Sequence, residues 1–88
     1  MNYAFTPDGW DDYIFWQNND KKTRKKINDL IKDIARNGAA NGLGKPEPLT
    51  GNLSGFYSRK IDEKNRLVYK VENNMVVVVS CRYHYSDR

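Results

Sequence analysis

Residues 66–83, RLVYKVENNMVVVVSCRY, set the architecture of this chain. Two segments show the period-two alternation and the β-branched content of strands, and a short Glu-Asn-Asn turn separates them. We therefore predict that Arg66–Val71 and Met75–Tyr83 are strands that form an antiparallel hairpin. Because Met75–Val79 is continuously apolar, the second strand should be central in its sheet, with helices covering one face.

The segment before this hairpin extends the sheet. Phe56–Asp62 alternates in the same way and is predicted to complete a three-stranded antiparallel meander. Residues 38–52 are rich in Gly and Pro and are predicted to be a loop without secondary structure. A loop of about 15 residues is long for a small domain, and such loops tend to carry function. A short N-terminal strand is predicted at Tyr3–Thr6.

Two helices are predicted between the N-terminal strand and the loop. The first begins at Thr6-Pro7, a hydroxyl cap followed by proline, and Trp10, Tyr13 and Ile14 should form its core stripe. The second runs from an Asp20 cap to about Gly38. Its apolar residues have the i, i+3, i+4, i+7 spacing of an amphipathic helix: Ile27, Leu30, Ile31 and Ile34. The prediction is an α+β fold, with two helices on one face of a twisted antiparallel sheet.

Length and composition exclude several classes of protein. A chain of 88 residues has room for one domain, here residues 1–88. A single cysteine, Cys81, excludes an internal disulfide framework, and with the single His84 it cannot build a Cys/His zinc site. Neither a membrane span nor a signal peptide is recognisable, and the absence of a disulfide framework favours a cytosolic protein.

The charge is distributed unevenly. Residues 1–20 contain four Asp and no Lys or Arg, a net charge of −4, whereas residues 21–88 contain all 15 bases and seven acids, a net charge of +8. Such a basic segment favours a polyanionic partner, although solubility alone is an alternative explanation. Strand alternation predicts one sheet face open to solvent and rich in cations, drawn from the following residues: Arg59, Lys60, Arg66, Arg82 and His84, with Lys45 and Glu47 at its rim.

Glu47 lies between Pro46 and Pro48, which stiffen the backbone around its carboxylate. A carboxylate, an imidazole and guanidinium groups on one face can support RNA cleavage, in which a base and an acid act on opposite sides of one phosphate. The alternatives are that Glu47 is only a rigid acidic loop residue and that His84 is an idle residue near the chain end. Cys81 is expected to be a buried core thiol.

Several short motifs occur together in this chain. Gly44–Leu49 reads GKPEPL and Arg82–Tyr85 reads RYHY. Further pieces are WDDY at 10–13, KKIN at 25–28, NLSGF at 52–56 and RLVY at 66–69. Together these motifs resemble the YoeB toxins of the RelE superfamily, in order and with the spacing of that family.

The resemblance implies a RelE-like fold and a bacterial type II toxin that cuts mRNA in the ribosomal A site, without a metal or another cofactor. It implies a YefM-type (Phd-like) antitoxin, whose C-terminal segment covers the active site and whose N-terminal part binds operator DNA. It also implies a homodimer, for which Phe15 and Trp16 offer aromatic surface.

Residue roles also follow from the resemblance. Glu47 resembles the general base, His84 the general acid, and Arg66 the cation that stabilises the transition state. Tyr85 matches an aromatic residue that orients the scissile nucleotide. The expected contacts to mRNA or ribosomal RNA are Lys45, Arg59, Lys60, Arg82 and Tyr83. Two other functions stay open: a basic module that binds RNA or DNA without cutting it, and an antitoxin-bound corepressor. Both predict that removing Glu47 and His84 leaves the cellular phenotype unchanged.

Overall fold

Two helices and five strands follow one another along the chain in the computed structural model, which describes residues 1–84. The elements are β1 (Asn2–Phe5), α1 (Pro7–Asn19), α2 (Lys21–Asn37), β2 (Glu47–Pro48), β3 (Tyr57–Lys60), β4 (Arg66–Glu72) and β5 (Met75–Ser80), with a 3₁₀ turn at Gly51–Leu53. The strands form one sheet in the order β1-β5-β4-β3-β2, and both helices pack against it. The predicted α+β class is confirmed, and β5 is an interior strand as predicted.

The helix boundaries agree with the capping signals in the sequence. The Thr6 hydroxyl accepts a hydrogen bond from Gly9 N at 3.1 Å, and Pro7 opens α1. The Asp20 carboxylate accepts one from Thr23 N at 3.1 Å, and this bond holds the pKa of Asp20 below its usual value. Gly38 ends α2 with φ of 90°, a conformation that glycine adopts without steric cost.

The sheet is mixed rather than wholly antiparallel. The β3–β4–β5 meander is antiparallel, as predicted, but β1 runs parallel to β5, with Asn2 beside Met75 and Phe5 beside Val78. No local sequence signal specifies the partner or direction of a four-residue N-terminal strand, since α1 and α2 separate it from the rest of the sheet. The predicted loop also contains the short strand β2, which pairs with β3.

The core lies between the helices and one face of the sheet. It contains the four predicted α2 residues and the following residues of α1 and the sheet layer: Trp16, Ile61, Leu67, Tyr69, Val76, Val78 and Cys81. The prediction for α1 is wrong for Trp10, which is 48% exposed, and for Ile14, which is 37% exposed, whereas Tyr13 is partly buried against the core. The helix instead buries Gly9, Asp12 and Trp16.

A close approach of α1 to β5 explains this rotation of α1. A Cβ at Gly9 would lie 2.3 Å from the carbonyl oxygen of Val78, so only glycine fits there. Two buried polar groups on the same side of α1 then bond to the chain after β5. Asp12 Oδ2 accepts from Cys81 N at 3.0 Å, and Trp16 Nε1 donates to Cys81 O at 2.7 Å.

A β-bulge in β5 changes which side chains share a face. Val68 pairs with Ser80 while the next residue, Tyr69, pairs with Val78, so Val79 is an extra residue. Cys81 therefore joins Val78 in the core and is fully buried. Its predicted burial is confirmed, and the bulge is what makes it possible, since strict alternation from Val78 would put Cys81 on the opposite face.

The described residues contain no helix with the length and apolar character needed to cross a membrane.

Candidate active site

Glu47 lies on the sheet face that the helices leave uncovered. It pairs with Ser58, Ser58 pairs with Val68, and Val68 pairs with Ser80, so the four residues form a row across the sheet. Directly paired residues project to the same side of a sheet. The Glu47 carboxylate is exposed and makes no hydrogen bond or ion pair with residues 1–84. It is thus available to a ligand on this face.

Arg66 lies on the same face, one row away from Glu47. It pairs with Lys60, two residues along β3 from Ser58. Strand spacing and rise per residue put the Cα atoms of Glu47 and Arg66 about 12 Å apart. Both side chains are long enough to approach a single phosphate group from two sides.

The Arg66 guanidinium is only partly used by the protein. Nη1 donates to the carbonyl oxygens of Asp62 at 2.6 Å and Asn65 at 3.1 Å, which fixes the side chain over the β3–β4 turn. Nε and Nη2 have no hydrogen-bond partner among residues 1–84. The neighbouring Lys60 pairs with Glu63 at 2.6 Å, a surface ion pair of small energetic value.

The chain after β5 brings His84 to the start of β4. Arg66 N donates to Tyr83 O at 3.0 Å, and Tyr83 N donates to Asn65 Oδ1 at 2.7 Å. Tyr83 has φ of 64°, an uncommon conformation for a residue other than glycine. Its ring is 47% exposed, and His84 next to it is half-buried. Tyr85 lies outside the described residues.

Lys45 lies two residues before Glu47 and is exposed, as expected for a residue at the rim. Its φ is 52°, in the left-handed region. The structure therefore brings Glu47, Lys60 and Arg66 to one open face, with Lys45 at the rim and His84 near the start of β4.

Arg59 does not lie on this open face, so that prediction is wrong. It shares the covered face with Tyr57 and Ile61, and its side chain is 0% exposed. All its guanidinium N–H groups are directed to protein acceptors, described below. A cation in this position cannot contact a nucleic acid.

Arg82 was also assigned wrongly to the group of cations on the open face. Its guanidinium carbon lies 3.6 Å from the centroid of the Phe15 ring and 4.7 Å from that of Tyr83. It is thus stacked on helix α1 rather than placed beside Lys60 and Arg66. β5 ends at Ser80, so strand alternation does not set the direction of the Arg82 side chain.

An exposed aromatic patch that no sequence pattern predicts lies at the β1 edge of the sheet. Tyr3, Phe5, Trp10 and Tyr13, here called the aromatic patch, line a cavity of about 360 Å³ at the β1 edge of the sheet. The Trp10 ring lies 5.4 Å from Phe5 and 5.9 Å from Tyr13, centroid to centroid. Trp16, by contrast, is only 9% exposed, so the expected dimer surface is wrong for Trp16, while Phe15 is half-buried.

The uncovered face has the chemistry of a phosphate site with a separate carboxylate. It offers a carboxylate, a guanidinium with donors available, and the segment that carries an imidazole. Within residues 1–84 there is no group of three or more His, Cys, Asp or Glu side chains arranged to hold a metal ion.

Known proteins resemble this chain over nearly its whole length. Residues 5–85 match a family described as the YoeB-like toxin of bacterial type II toxin-antitoxin system. Toxin YoeB of Streptomyces coelicolor is 53% identical over 85 residues, 97% of this chain and 100% of the relative. The toxin in the heterotetrameric YoeB-YefM toxin-antitoxin complex of Staphylococcus aureus is 53% identical, with a TM-score of 0.90, over 97% of this chain and 98% of that one. A YoeB dimer from the same organism gives the same identity, TM-score and coverage.

Proposed function

The chain belongs to the YoeB-like toxin family of bacterial type II toxin-antitoxin systems, and on that premise we propose that it is an endoribonuclease that cuts mRNA in the ribosomal A site. The observation that supports this most is the joint position of Glu47 and Arg66 on one open sheet face, beside the segment carrying His84. A pure binding module has no use for a rigid carboxylate facing a phosphate site.

The proposed reaction is transfer of a phosphoryl group within the mRNA. Glu47 takes the proton of a ribose 2′-hydroxyl, and the 2′-oxygen then attacks the adjacent phosphorus. His84 gives a proton to the 5′-oxygen as the bond between that oxygen and phosphorus breaks. The products are a 2′,3′-cyclic phosphate and a 5′-hydroxyl, so no metal ion is required for the atoms and charges to balance.

Arg66 is proposed to stabilise the charge that develops on the phosphate oxygens through Nε and Nη2. Such preorganised donors are usually the largest electrostatic contribution to catalysis. Tyr85 would orient the scissile nucleotide. Lys45 and Lys60 would contact mRNA or ribosomal RNA phosphates, and the exposed Tyr83 ring would stack on a base.

Growth of bacteria that express the chain tests this function. We expect expression of the chain without its antitoxin to arrest growth, and Glu47→Gln combined with His84→Ala to restore growth, because the double variant lacks the base and the acid. Glu72→Gln, which changes an exposed Glu ion-paired with Lys70 on the same sheet, should arrest growth like the parent chain. A double variant that is as toxic as the parent chain would favour the non-catalytic functions.

The proposed antitoxin is of the YefM type, as in the S. aureus complex. Its C-terminal segment would cover the open face, and its N-terminal part would bind operator DNA and bring the toxin–antitoxin complex to it. Co-expression of this antitoxin is expected to restore growth of bacteria that express the parent chain. In a gel-shift experiment the complex should retard operator DNA, whereas the toxin alone should not. A toxin that acts on translating ribosomes would reside in the bacterial cytoplasm.

We propose that a second copy of the chain docks on the aromatic patch, where Tyr3 is 51% and Trp10 is 48% exposed. Apolar surface that is concentrated in this way marks interaction sites in small proteins. Trp10→Ala should convert a dimer to a monomer in size-exclusion chromatography with light scattering. Tyr83→Ala removes an aromatic ring with similar exposure elsewhere and should leave the dimer intact. A Trp10→Ala protein that remains dimeric would exclude this surface.

A further inference from the structure

The buried Arg59 binds a loop rather than a nucleic acid. A guanidinium has five N–H donors, and each one in Arg59 has an acceptor. Nε donates to Tyr69 Oη at 2.8 Å. Nη1 donates to Asp33 Oδ2 at 2.6 Å and to Leu43 O at 2.9 Å. Nη2 donates to Gly38 O at 2.9 Å and to Asn41 O at 2.7 Å. We call this set of contacts the arginine clamp.

Most of the arginine clamp acts on residues 38–44. Three of its acceptors are main-chain carbonyl oxygens of this segment. The two side-chain acceptors reach the same segment themselves, since Asp33 Oδ2 accepts from Leu43 N at 2.9 Å and Tyr69 Oη donates to Ala39 O at 2.6 Å. This loop is thus tied to one buried cation, directly at Gly38, Asn41 and Leu43 and through Tyr69 at Ala39.

Two glycines allow the loop to approach this closely. A Cβ at Gly42 would lie 1.9 Å from Asp33 Oδ2, and one at Gly44 would lie 2.9 Å from Leu30 Cδ2. Gly44 O then accepts from Lys60 N at 2.7 Å, which joins the end of the loop to β3.

Glu47 lies three residues after this loop, and few other contacts restrain it. β2 has two residues, pairs with β3 alone and lies at the edge of the sheet. Pro46 and Pro48 have no N–H to donate to a neighbouring strand. On its C-terminal side the segment is held by Leu49 N, which donates to Phe56 O at 2.9 Å. On its N-terminal side the arginine clamp provides the corresponding restraint.

We infer that Arg59 is a positioning residue, which fixes the Glu47 carboxylate over the open face by tying down residues 38–44. The effect of this positioning on catalysis rests on the proposed function. The structural half of the inference, that the arginine clamp immobilises the segment leading to Glu47, is independent of any activity.

Hydrogen exchange of the free toxin tests the structural half. Tyr69→Phe removes the hydroxyl that joins Arg59 to Ala39, and Arg59→Lys removes most of the donors but risks unfolding. In Tyr69→Phe we expect the amides of Leu43 and Lys60 to exchange about tenfold faster, the effect of losing one hydrogen bond. The Thr6 amide, which bonds to Val78 O outside the loop, should exchange at an unchanged rate. Tyr57→Phe, which alters the stacked neighbour of Tyr69, is the matched control.

A double-mutant cycle tests the catalytic half. Tyr69→Phe should lower kcat for mRNA cleavage on ribosomes about tenfold with KM unchanged, because a small displacement of a base slows proton transfer without weakening ribosome binding. In the Glu47→Gln background, the same substitution should change kcat less than about twofold.

The outcomes separate the two proposals. Unchanged amide exchange at Leu43 and Lys60 in Tyr69→Phe overturns the inference. So does an equal loss of kcat from Tyr69→Phe in the parent and Glu47→Gln backgrounds, because a merely structural role of Arg59 would produce that result. If the parent chain cuts no mRNA, the endonuclease proposal fails on its own, and exchange still decides whether the clamp holds the loop.

Discussion

Arg66→Ala is expected to slow mRNA cleavage on purified translating ribosomes by about 100- to 1,000-fold. The substitution removes Nε and Nη2, the donors that no group in residues 1–84 uses, from the point where negative charge develops on phosphorus. Loss of one such preorganised donor costs about 3–4 kcal/mol of transition-state stabilisation. Single-turnover cleavage at saturating ribosome concentration gives the loss directly.

A control for folding is needed because Arg66 Nη1 also holds the β3–β4 turn through Asp62 O. Arg66→Lys keeps a positive charge but loses the planar pair of donors, so we expect a smaller loss than for alanine. Arg36→Ala removes an exposed cation from the last turn of α2 and should cut normally. Unimpaired cleavage by a folded Arg66→Ala protein would contradict the role assigned to Arg66.

Arg59→Leu is expected to lower the free energy of unfolding by about 3–5 kcal/mol. The variant leaves Asp33, whose side chain is largely buried, without its counter-ion and leaves three loop carbonyl oxygens without donors. Urea denaturation measures the change, with an unaltered slope showing that the same surface is exposed on unfolding. Lys60→Leu, the next residue along β3, should cost less than about 1 kcal/mol, as for an exposed ion pair.

The pH dependence gives a second readout of the same contact. Hydrogen bonds from the Leu43 N–H, the larger cause, and from the Arg59 guanidinium hold the pKa of Asp33 below its usual value. A lowered carboxyl pKa stabilises the fold at pH values above the ordinary carboxyl pKa of about 4, and this stability is lost as the pH falls through the lowered value. The acid limb of the stability curve should therefore be shallower in Arg59→Leu than in the parent chain. Equal stability of Arg59→Leu and Lys60→Leu would contradict the description of the clamp.

The helix ends and the β-meander were predictable because their signals are local. A cap at Thr6 or Asp20 and a turn at Asn73-Asn74 act within a few residues, and a period of two or 3.6 needs no knowledge of distant contacts. The buried face of α1 was not predictable in this way. It depends on how closely Gly9 approaches β5, which is a tertiary contact.

Arg59 shows why the candidate site was predicted only in part. We predicted Arg59 on the open face, whereas the structure places it with Tyr57 and Ile61 on the covered face, where it is 0% exposed. The positive charge of Arg59 favoured a position in contact with solvent. Its buried partner Asp33 lies 26 residues away, and no local sequence pattern links the two residues. Lys60 and Arg66 lie on the face predicted for them, because alternation within a strand is local. Glu47 was predicted at the rim of that face, but its pairing with Ser58 was not, because nothing local marks a two-residue strand.

The ends of mRNA cut on purified translating ribosomes test the proposed mechanism most directly. With the parent chain, cleavage by a 2′-hydroxyl should give 5′-hydroxyl ends within the A-site codon, with a cyclic phosphate on the upstream fragment. These ends should disappear when Glu47→Gln replaces the parent chain and when ribosomes are omitted. Ends that carry a 5′-phosphate, or that form equally well on naked mRNA or with Glu47→Gln, would contradict it.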